Sequence, residues 1–474
     1  MVAIPHSQTF ALVQTLQWVF DPVGYMEKNF QRFGGFFRAE ISPVNPEPIV
    51  FVNHPEAIQS LLSQDNSDEL SAPGEVNALL KPLFGENSLL LLSGKQHRQR
   101  RQLMVPPFHG ERMKAYGDLI CAITQEVMDQ WQVGQRFCAR EAMQKITMQV
   151  ILQAVFGLYE GDRYQRLEYL LAERLNLIST PLSSVLLFFP QLTVDLGPWS
   201  IGGRVRRLVE ETDQLLYAEI RERRAQPNVD RTDVLSLLLA AKDADGKGLT
   251  DEELHDELMT LLVAGHETTA TALAWALYWI HHRPEVHQTL TAELEQSSDM
   301  ADLMAISRLP YLTAVCSETL RIYPVAMVTL PRRVEKPMQL MGYDLEVGSL
   351  LLGCIYLVHH NEALYPNAHE FQPERFLERQ FSPSEFLPFG GGSRRCIGAA
   401  LAMYEMTLVL RTILSQCELQ LAEPKAVKPQ RRGGTLAPKG SVQIRKVGDR
   451  SQVLPALETP PESAGNLNGI HTSR

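Results

Sequence analysis

Apolar residues recur at helical spacing through most of this chain, and only a few short runs read as strands. Ile49, Val50, Phe51 and Val52 follow Pro48 as one such run, and Pro55 opens a helix that heads toward Leu62. A loop containing Pro73 and Gly74 comes next, and from there to about Gln288 the pattern is mostly helical. Thr250 with Glu253 three residues later has the form of a capping box. It predicts a long helix that Pro284 stops near His282, ~50 Å in length at about 1.5 Å per residue and so able to cross the domain. Strand-like runs return at 339–345 and 349–356, and no internal repeat is visible. The pattern predicts one domain over 1–448, mainly α with a small β-rich region. Residues 449–474 hold Pro455, Pro460 and Pro461 among serines and glycines, and predict a disordered tail that buries too little surface to offset its chain entropy.

Composition narrows the function. Of 474 residues, 45 % are hydrophobic and 21 % charged, and the net charge of −10 argues against a nucleic-acid binder. Cys121, Cys138, Cys316, Cys354, Cys396 and Cys417 are widely spaced without a CxxC pair, which excludes a zinc ribbon and a dense disulfide framework. All except Cys396 read as small core residues in a reducing compartment. Residues 1–7 lack the basic and apolar regions of a secretory signal. The most apolar stretch of membrane-spanning length, 261–280, contains His266, Glu267 and three threonines, so no lipid-facing span is expected. The protein is expected to be soluble and cytoplasmic. Asp243, Asp245 and Gly246 resemble the start of a calcium loop, but the glycine is two positions early, and the segment reads as a turn.

Candidate chemistry concentrates around Cys396, which lies among glycines, beside Arg394 and Arg395, just before an apolar helical stretch. Free backbone N–H groups, the cations and the helix N-terminus all favour a thiolate, the form that binds a metal. Phe389, Gly392, Arg394, Cys396 and Gly398 stand at the five fixed offsets of a known loop. The segment resembles the haem-binding loop of the cytochromes P-450. The resemblance implies that Cys396 is the axial ligand of the iron of haem b, with Phe389, Gly392 and Gly398 shaping the loop around it. A thiolate ligand pushes electron density onto iron and favours O–O cleavage.

Other segments resemble the same family in the same order. Ala264, Gly265, His266, Glu267 and Thr268 lie in the predicted long helix. A zinc motif of the HExxH type fails there because position 270 is Ala. One reading is structural: threonine hydroxyls bond back to i−4 carbonyls, and Glu267 meets a partner or water. The resemblance implies a catalytic one, in which Thr268 and Glu267 organise the water that delivers protons to the oxygen being reduced, and Ala264 and Gly265 leave room for ligand and substrate. Glu318 and Arg321, at i and i+3, share a helix face. With Arg375 they resemble the family's Glu-Arg-Arg network, whose implied role is to lock the cysteine side of the fold. His97, Arg101, Arg332 and Arg394 occupy the family's propionate-binding positions, with His97 where many members have Trp. Lys95, Arg98, Arg100 and Arg395 then form a candidate basic patch for an acidic electron carrier.

The resemblance implies the cytochrome P-450 fold, a helix-rich triangular prism around a buried haem, and a monooxygenase that places one atom of O2 in a substrate. Its two electrons would come from NAD(P)H through a ferredoxin or flavodoxin and its reductase, since no dinucleotide fingerprint appears in the chain. Substrate-contact segments correspond to 71–92, 261–268, 325–330 (Val325 and Val328 among them) and 433–436. They are rich in apolar residues and predict a hydrophobic substrate. The chain is most similar to soluble bacterial members, of cyanobacterial type, related to fatty-acid hydroxylases. A long-chain fatty acid comes first and a terpenoid second. The alternatives are a thiolate-haem isomerase, lyase or peroxide-dependent hydroxylase, and a non-catalytic haem sensor.

Overall fold

The computed structural model describes residues 3–41, 48–110, 112–157, 161–178, 195, 197, 199–226, 231, 233–243 and 245–450. Its axis is the helix Asp251–His282. The capping box forms as the sequence predicts: the Glu253 N–H donates to Thr250 Oγ1 at 3.2 Å, and the Thr250 N–H to Glu253 Oε2 at 2.9 Å. Asp251, Glu252 and Glu253 in the first turn complement the helix dipole. Past its first turn this helix is buried nearly all round, the signature of a helix surrounded by others. Helix Ala139–Phe156 runs along it, and helices Pro310–Ile322 and Ala399–Gln416 pack on its other sides. Pro284, which has no N–H to extend the ladder, opens the next helix, Pro284–Gln296.

Five strands form the largest sheet, in the order Phe36–Ala39, Ile49–Val52, Leu350–Gly353, Arg332–Val334, Leu70–Ser71. The two innermost apolar strands, Ile49–Val52 and Leu350–Gly353, run parallel, and the other pairs are antiparallel. Ile49–Val52 is buried on both faces, which explains why it reads as an unbroken apolar run. Phe51 stacks on Phe37 with ring centroids 4.8 Å apart, and Trp18 and Tyr25 close the cluster edge-on.

The chain is mainly α with small sheets, as expected, but three expectations need correction. The run at 349–356 is a strand only to Gly353. The Cys354 N–H still reaches Val52 O at 2.7 Å, and the chain then coils into helix Ile355–His359. A short apolar run buried on all sides has no period that separates strand from helix. Strands Cys417–Leu421, Pro429–Arg432, Thr435–Pro438 and Gln443–Asp449 were not anticipated. The last of these carries order past the expected boundary at 448, and the Arg450 N–H bonds Gln416 O at 2.8 Å. The rest of the expected tail, 451–474, lies outside the described residues. No helix among the described residues is long and apolar enough to cross a membrane.

Candidate active site

The loop 389–398 leads directly into helix Ala399–Gln416. The Cys396 N–H donates to Phe389 O at 3.0 Å and closes the loop, while Phe389 packs against the main core. Gly392 is left-handed at φ 64°, and a Cβ there would sit 2.2 Å from Asp65 Oδ2. A Cβ on Gly391 would meet Leu62 Cδ1 at 2.5 Å. The loop therefore lies hard against the end of helix Pro55–Ser63, at a distance only glycine permits. Asp65, only 3 % exposed, then fastens it. One oxygen of Asp65 accepts the Ser393 N–H at 2.9 Å, the Ser393 hydroxyl at 3.0 Å, and Arg332 Nε and Nη2 at 3.1 and 2.8 Å. Arg332 also donates to Gly391 O at 2.9 Å and to Leu330 O at 2.6 Å.

The other side of the loop is open. Cys396 is exposed, whereas Cys121, Cys316, Cys354 and Cys417 are buried. A Cβ on Gly398 would touch nothing within 4 Å. A flat group can therefore lie against this backbone with the sulfur pointing at it. Contrary to the expected thiolate bias, protein packed around the loop leaves the Cys396 thiol above its ordinary pKa, and the Gly398 N–H and the Arg101 and Arg395 guanidiniums offset this only in part. Asp65→Ala is expected to strand the buried Arg332 charge and free the loop, at a cost of about 3–5 kcal/mol. Chemical denaturation checks the stability and the Soret absorbance per protein checks cofactor retention. An unchanged midpoint would refute the role of Asp65.

The four expected propionate ligands converge. His97 is buried, and burial first, then Arg394, Arg101 and Arg332, push its pKa down to about 3. It is a neutral imidazole among three cations. Arg394 donates to Ala72 O at 2.5 and 3.1 Å, to Leu89 O at 3.0 Å and to Leu92 O at 2.6 Å. Burial lowers its pKa to about 10. Arg332 and Arg394 thus already serve protein acceptors, all but Leu330 O from distant segments that local spacing does not announce. Among the described residues the Arg101 guanidinium makes no ion pair or hydrogen bond, and it lies near enough to Cys396 to shift it. An exposed thiol, glycine backbone beside open space and a local surplus of cations fit haem b, an iron porphyrin carrying two carboxylates.

One member of the expected basic patch is misplaced. On helix Gly94–Met104 the inward face is His97, Arg100 and Met104. Arg100 is buried and pairs with Glu253 at 2.6 Å and Glu257 at 3.0 Å. Lys95, Arg98 and Arg395 are exposed.

The long helix exposes Ala264 and half-exposes Thr268. Thr268 Oγ1 donates to Ala264 O at 2.5 Å, the i−4 bond of the structural reading. Glu267, one residue earlier and so about 100° round the helix, points elsewhere. Its carboxylate accepts Arg140 Nη1 at 3.0 Å and Gln144 Nε2 at 2.6 Å, both from helix Ala139–Phe156. His266 is buried and neutral, pushed down to about 3 by burial and then by Arg140, and it shares a 2.9 Å hydrogen bond with Thr147. Gly265 serves packing: its Cβ would lie 2.8 Å from Ile151 Cδ1, so it lets the two helices touch. Val325 is 9 % exposed and belongs to the main core, Val328 is half-buried, and Ala326 between them is exposed.

Glu318, Arg321 and Arg375 meet as the motif suggests. Glu318 accepts Arg321 Nε at 2.6 Å and Nη2 at 2.8 Å, Arg375 Nε at 3.3 Å, and the Gln372 N–H at 2.9 Å. Tyr365 lies under both guanidiniums, 5.1 and 5.9 Å from ring centroid to carbon.

Comparison with known proteins gives one answer. The family model described as Cytochrome P450 matches residues 5–445. A Mycobacterium tuberculosis chain provisionally called cytochrome P450 135B1 is 37 % identical over 416 residues, spanning 88 % of this chain and 85 % of that one. One called cytochrome P450 138 in Mycobacterium bovis is 32 % identical over 439 residues, 92 % of this chain and 94 % of its own. Among solved structures, retinoic acid-bound cyanobacterial CYP120A1 superposes with a TM-score of 0.81 at 23 % identity, over 95 % of this chain and all of the other. The cytochrome P450DA heme domain gives 0.82 at 21 %, over 95 % and 98 %. With a family model covering nearly its whole length and relatives above 30 % identity, the chain belongs to the cytochrome P450 family, whose members are haem-dependent monooxygenases.

Proposed function

We propose that this monooxygenase hydroxylates a long apolar acid, a fatty acid first and a terpenoid acid second, with electrons from NAD(P)H delivered by a separate ferredoxin or flavodoxin and its reductase in the cytoplasm. The observation that carries the reading is the exposed Cys396 thiol, bordered by Gly398 and the cationic cluster. Haem bound there supplies the activation of O2. The protein's part is to hold and orient. Cys396 would supply the anionic ligand, Arg101 and His97 would hold the carboxylates, and Asp65 fixes the loop that presents the sulfur. Thr268 keeps its proton on Ala264 O, which leaves its lone pairs to order water beside the open face of the helix. Glu267, one residue before Thr268 and held by Arg140 and Gln144 on the neighbouring helix, is the carboxylate that would feed protons to that water through a solvent relay. Lys95, Arg98 and Arg395 offer the acidic electron carrier its exposed cations.

Ala264, Ala326 and the apolar segments around them support a hydrophobic substrate. The structural neighbour that binds retinoic acid supports the terpenoid alternative. Retinoic and fatty acids share an apolar body and a terminal carboxylate, so one experiment separates them. Ferric protein titrated with long-chain fatty acids should show a saturable blue shift of the Soret band. A shift with terpenoid acids alone would reverse the order, and silence with both would overturn the substrate reading. Thr268→Ala is expected to cut product formed per NAD(P)H by about tenfold or more. An unchanged yield would instead favour a peroxide-dependent enzyme.

A further inference from the structure

A second cluster of buried charge lies near the start of the long helix, away from Cys396. His255 Nε2 bonds Asp213 Oδ1 on helix Ile201–Ala225 at 3.0 Å, and Nδ1 bonds Asp256 Oδ1 at 2.9 Å. The ring stacks on Tyr217 of the same neighbouring helix, with centroids 4.6 Å apart and planes 8° apart. Both nitrogens can donate to carboxylates only when the ring is an imidazolium. Asp256 also accepts the Asn87 N–H at 2.8 Å and Asn87 Nδ2 at 3.0 Å. Gly85, at φ +82°, runs so close to Asp256 that a Cβ would sit 2.0 Å from its Oδ1. Ser88 meets Thr260 at 2.7 Å, and Arg100 Nη1 donates to Asn87 O at 3.1 Å. The far end of the same loop supplies the Leu89 and Leu92 carbonyls that hold Arg394 beside the cysteine site.

We propose that His255 is a positioning residue that fastens helix Ile201–Ala225 and loop 85–92 to the long helix, and through Arg394 couples the substrate side of the cavity to the cysteine loop. That loop 85–92 lines the substrate cavity rests on the function proposed above, whereas the tie itself rests on the contacts just given. Charged form and tie are one state. Burial lowers the His255 pKa, but the bonds to Asp213 and Asp256 outweigh it and raise the value from 6.5 to about 9.

The groups facing His255 behave differently. Burial raises Asp256, but the bonds from His255 and Asn87 outweigh it and hold the carboxyl below its usual value. Tyr217 is pushed up by burial and by Asp256, Glu252, Asp213 and Asp251. Arg221 stands 6.0 Å from the Tyr217 ring, and Arg174 of helix Asp162–Ile178 lies 3.8 Å from Asp213. Beyond Asp256, Glu253 and Glu257 pair with Arg100, and burial raises Glu257 to about 7. Above that value His255 is the group that titrates.

The sign follows from the raised pKa. The closed form binds one proton more than the open form between 6.5 and about 9, so opening gains about tenfold per pH unit across that window and levels off above it. Hydrogen exchange of the haem-loaded protein, corrected for the intrinsic base-catalysed rate, reads this directly. Protection of amides in 85–92, in helix Ile201–Ala225 and in 393–396 is expected to fall about tenfold per unit from about pH 7.5 to 9. His255→Gln is expected to show low protection from the start and no slope. Asp213→Asn, a milder change, should bring the break to lower pH. The same slope in His255→Gln, or an unmoved break in Asp213→Asn, overturns the tie, and a flat profile confined to 393–396 overturns its coupling to the cysteine loop. The measurement uses no substrate, so its failure is distinct from a silent acid titration.

Discussion

Cys396→Ser is expected to abolish the red-shifted Soret band of the ferrous carbon-monoxide complex and to reduce substrate oxidation to background. The exchange replaces one atom with another of similar size in an exposed position, so packing changes little. Charge changes completely. Burial holds the Cys396 thiol above its ordinary pKa, Arg101 and Arg395 work against that, and a bound metal would take the thiolate outright. A serine hydroxyl stays protonated under the same field and offers no anion. The loop's shape is set elsewhere, by Asp65, Gly391 and Gly392, so the variant should fold with a stability within about 1 kcal/mol of the parent. Equal denaturation midpoints together with the lost band would assign the effect to ligation alone. A variant that kept the band would remove Cys396 as the ligand.

Arg321→Ala is expected to be strongly destabilising. All five N–H groups of this fully buried guanidinium are used. Two go to Glu318, and the rest to His359 O at 2.7 Å, Ala368 O at 2.8 Å and Glu370 O at 3.1 Å. Removing it leaves Glu318 buried, with Arg375 at 3.3 Å as its remaining cation, and leaves three carbonyls without a donor. Breaking a buried pair in this way costs about 3–5 kcal/mol, against a total stability of about 5–15 kcal/mol for a typical domain. Soluble yield should collapse, and any folded fraction should unfold at much lower denaturant. Arg321→Lys should rescue little, because a single ammonium cannot fork to Glu318 and reach three carbonyls as well. A soluble Arg321→Ala protein with the parental midpoint would contradict this.

What could be read from the sequence was local. The capping box, the Glu318–Arg321 pair and the cysteine loop each declare themselves within a few residues, since their spacing alone puts the groups together. Partners from distant segments left no trace. Nothing near Glu267 announces Arg140 and Gln144, and nothing near Cys396 announces Asp65. Arg100 looked like a surface charge because its neighbours are charged too, yet the turn of its helix sends it inward with His97. Gly265 read as room for a ligand, while its neighbour Ile151 comes from another helix. The late strands were missed because residues such as Gln430, Arg431 and Arg432 carry no alternating apolar pattern, and pairing with other segments makes them strands.

Asp65 and Ser393 are 328 positions apart, and this has a consequence for how the chain is made. On a ribosome adding about 5–20 residues per second, the acceptor waits roughly 15–65 s before its donor is synthesised. Through that interval the amino-terminal strands and helices can assemble, but the segment that presents the sulfur does not yet exist. Closing so long a span is slow and entropically costly. Cofactor capture therefore waits for the synthesis of Ser393 and Cys396, and a chain stalled before them lacks the sulfur that would hold haem.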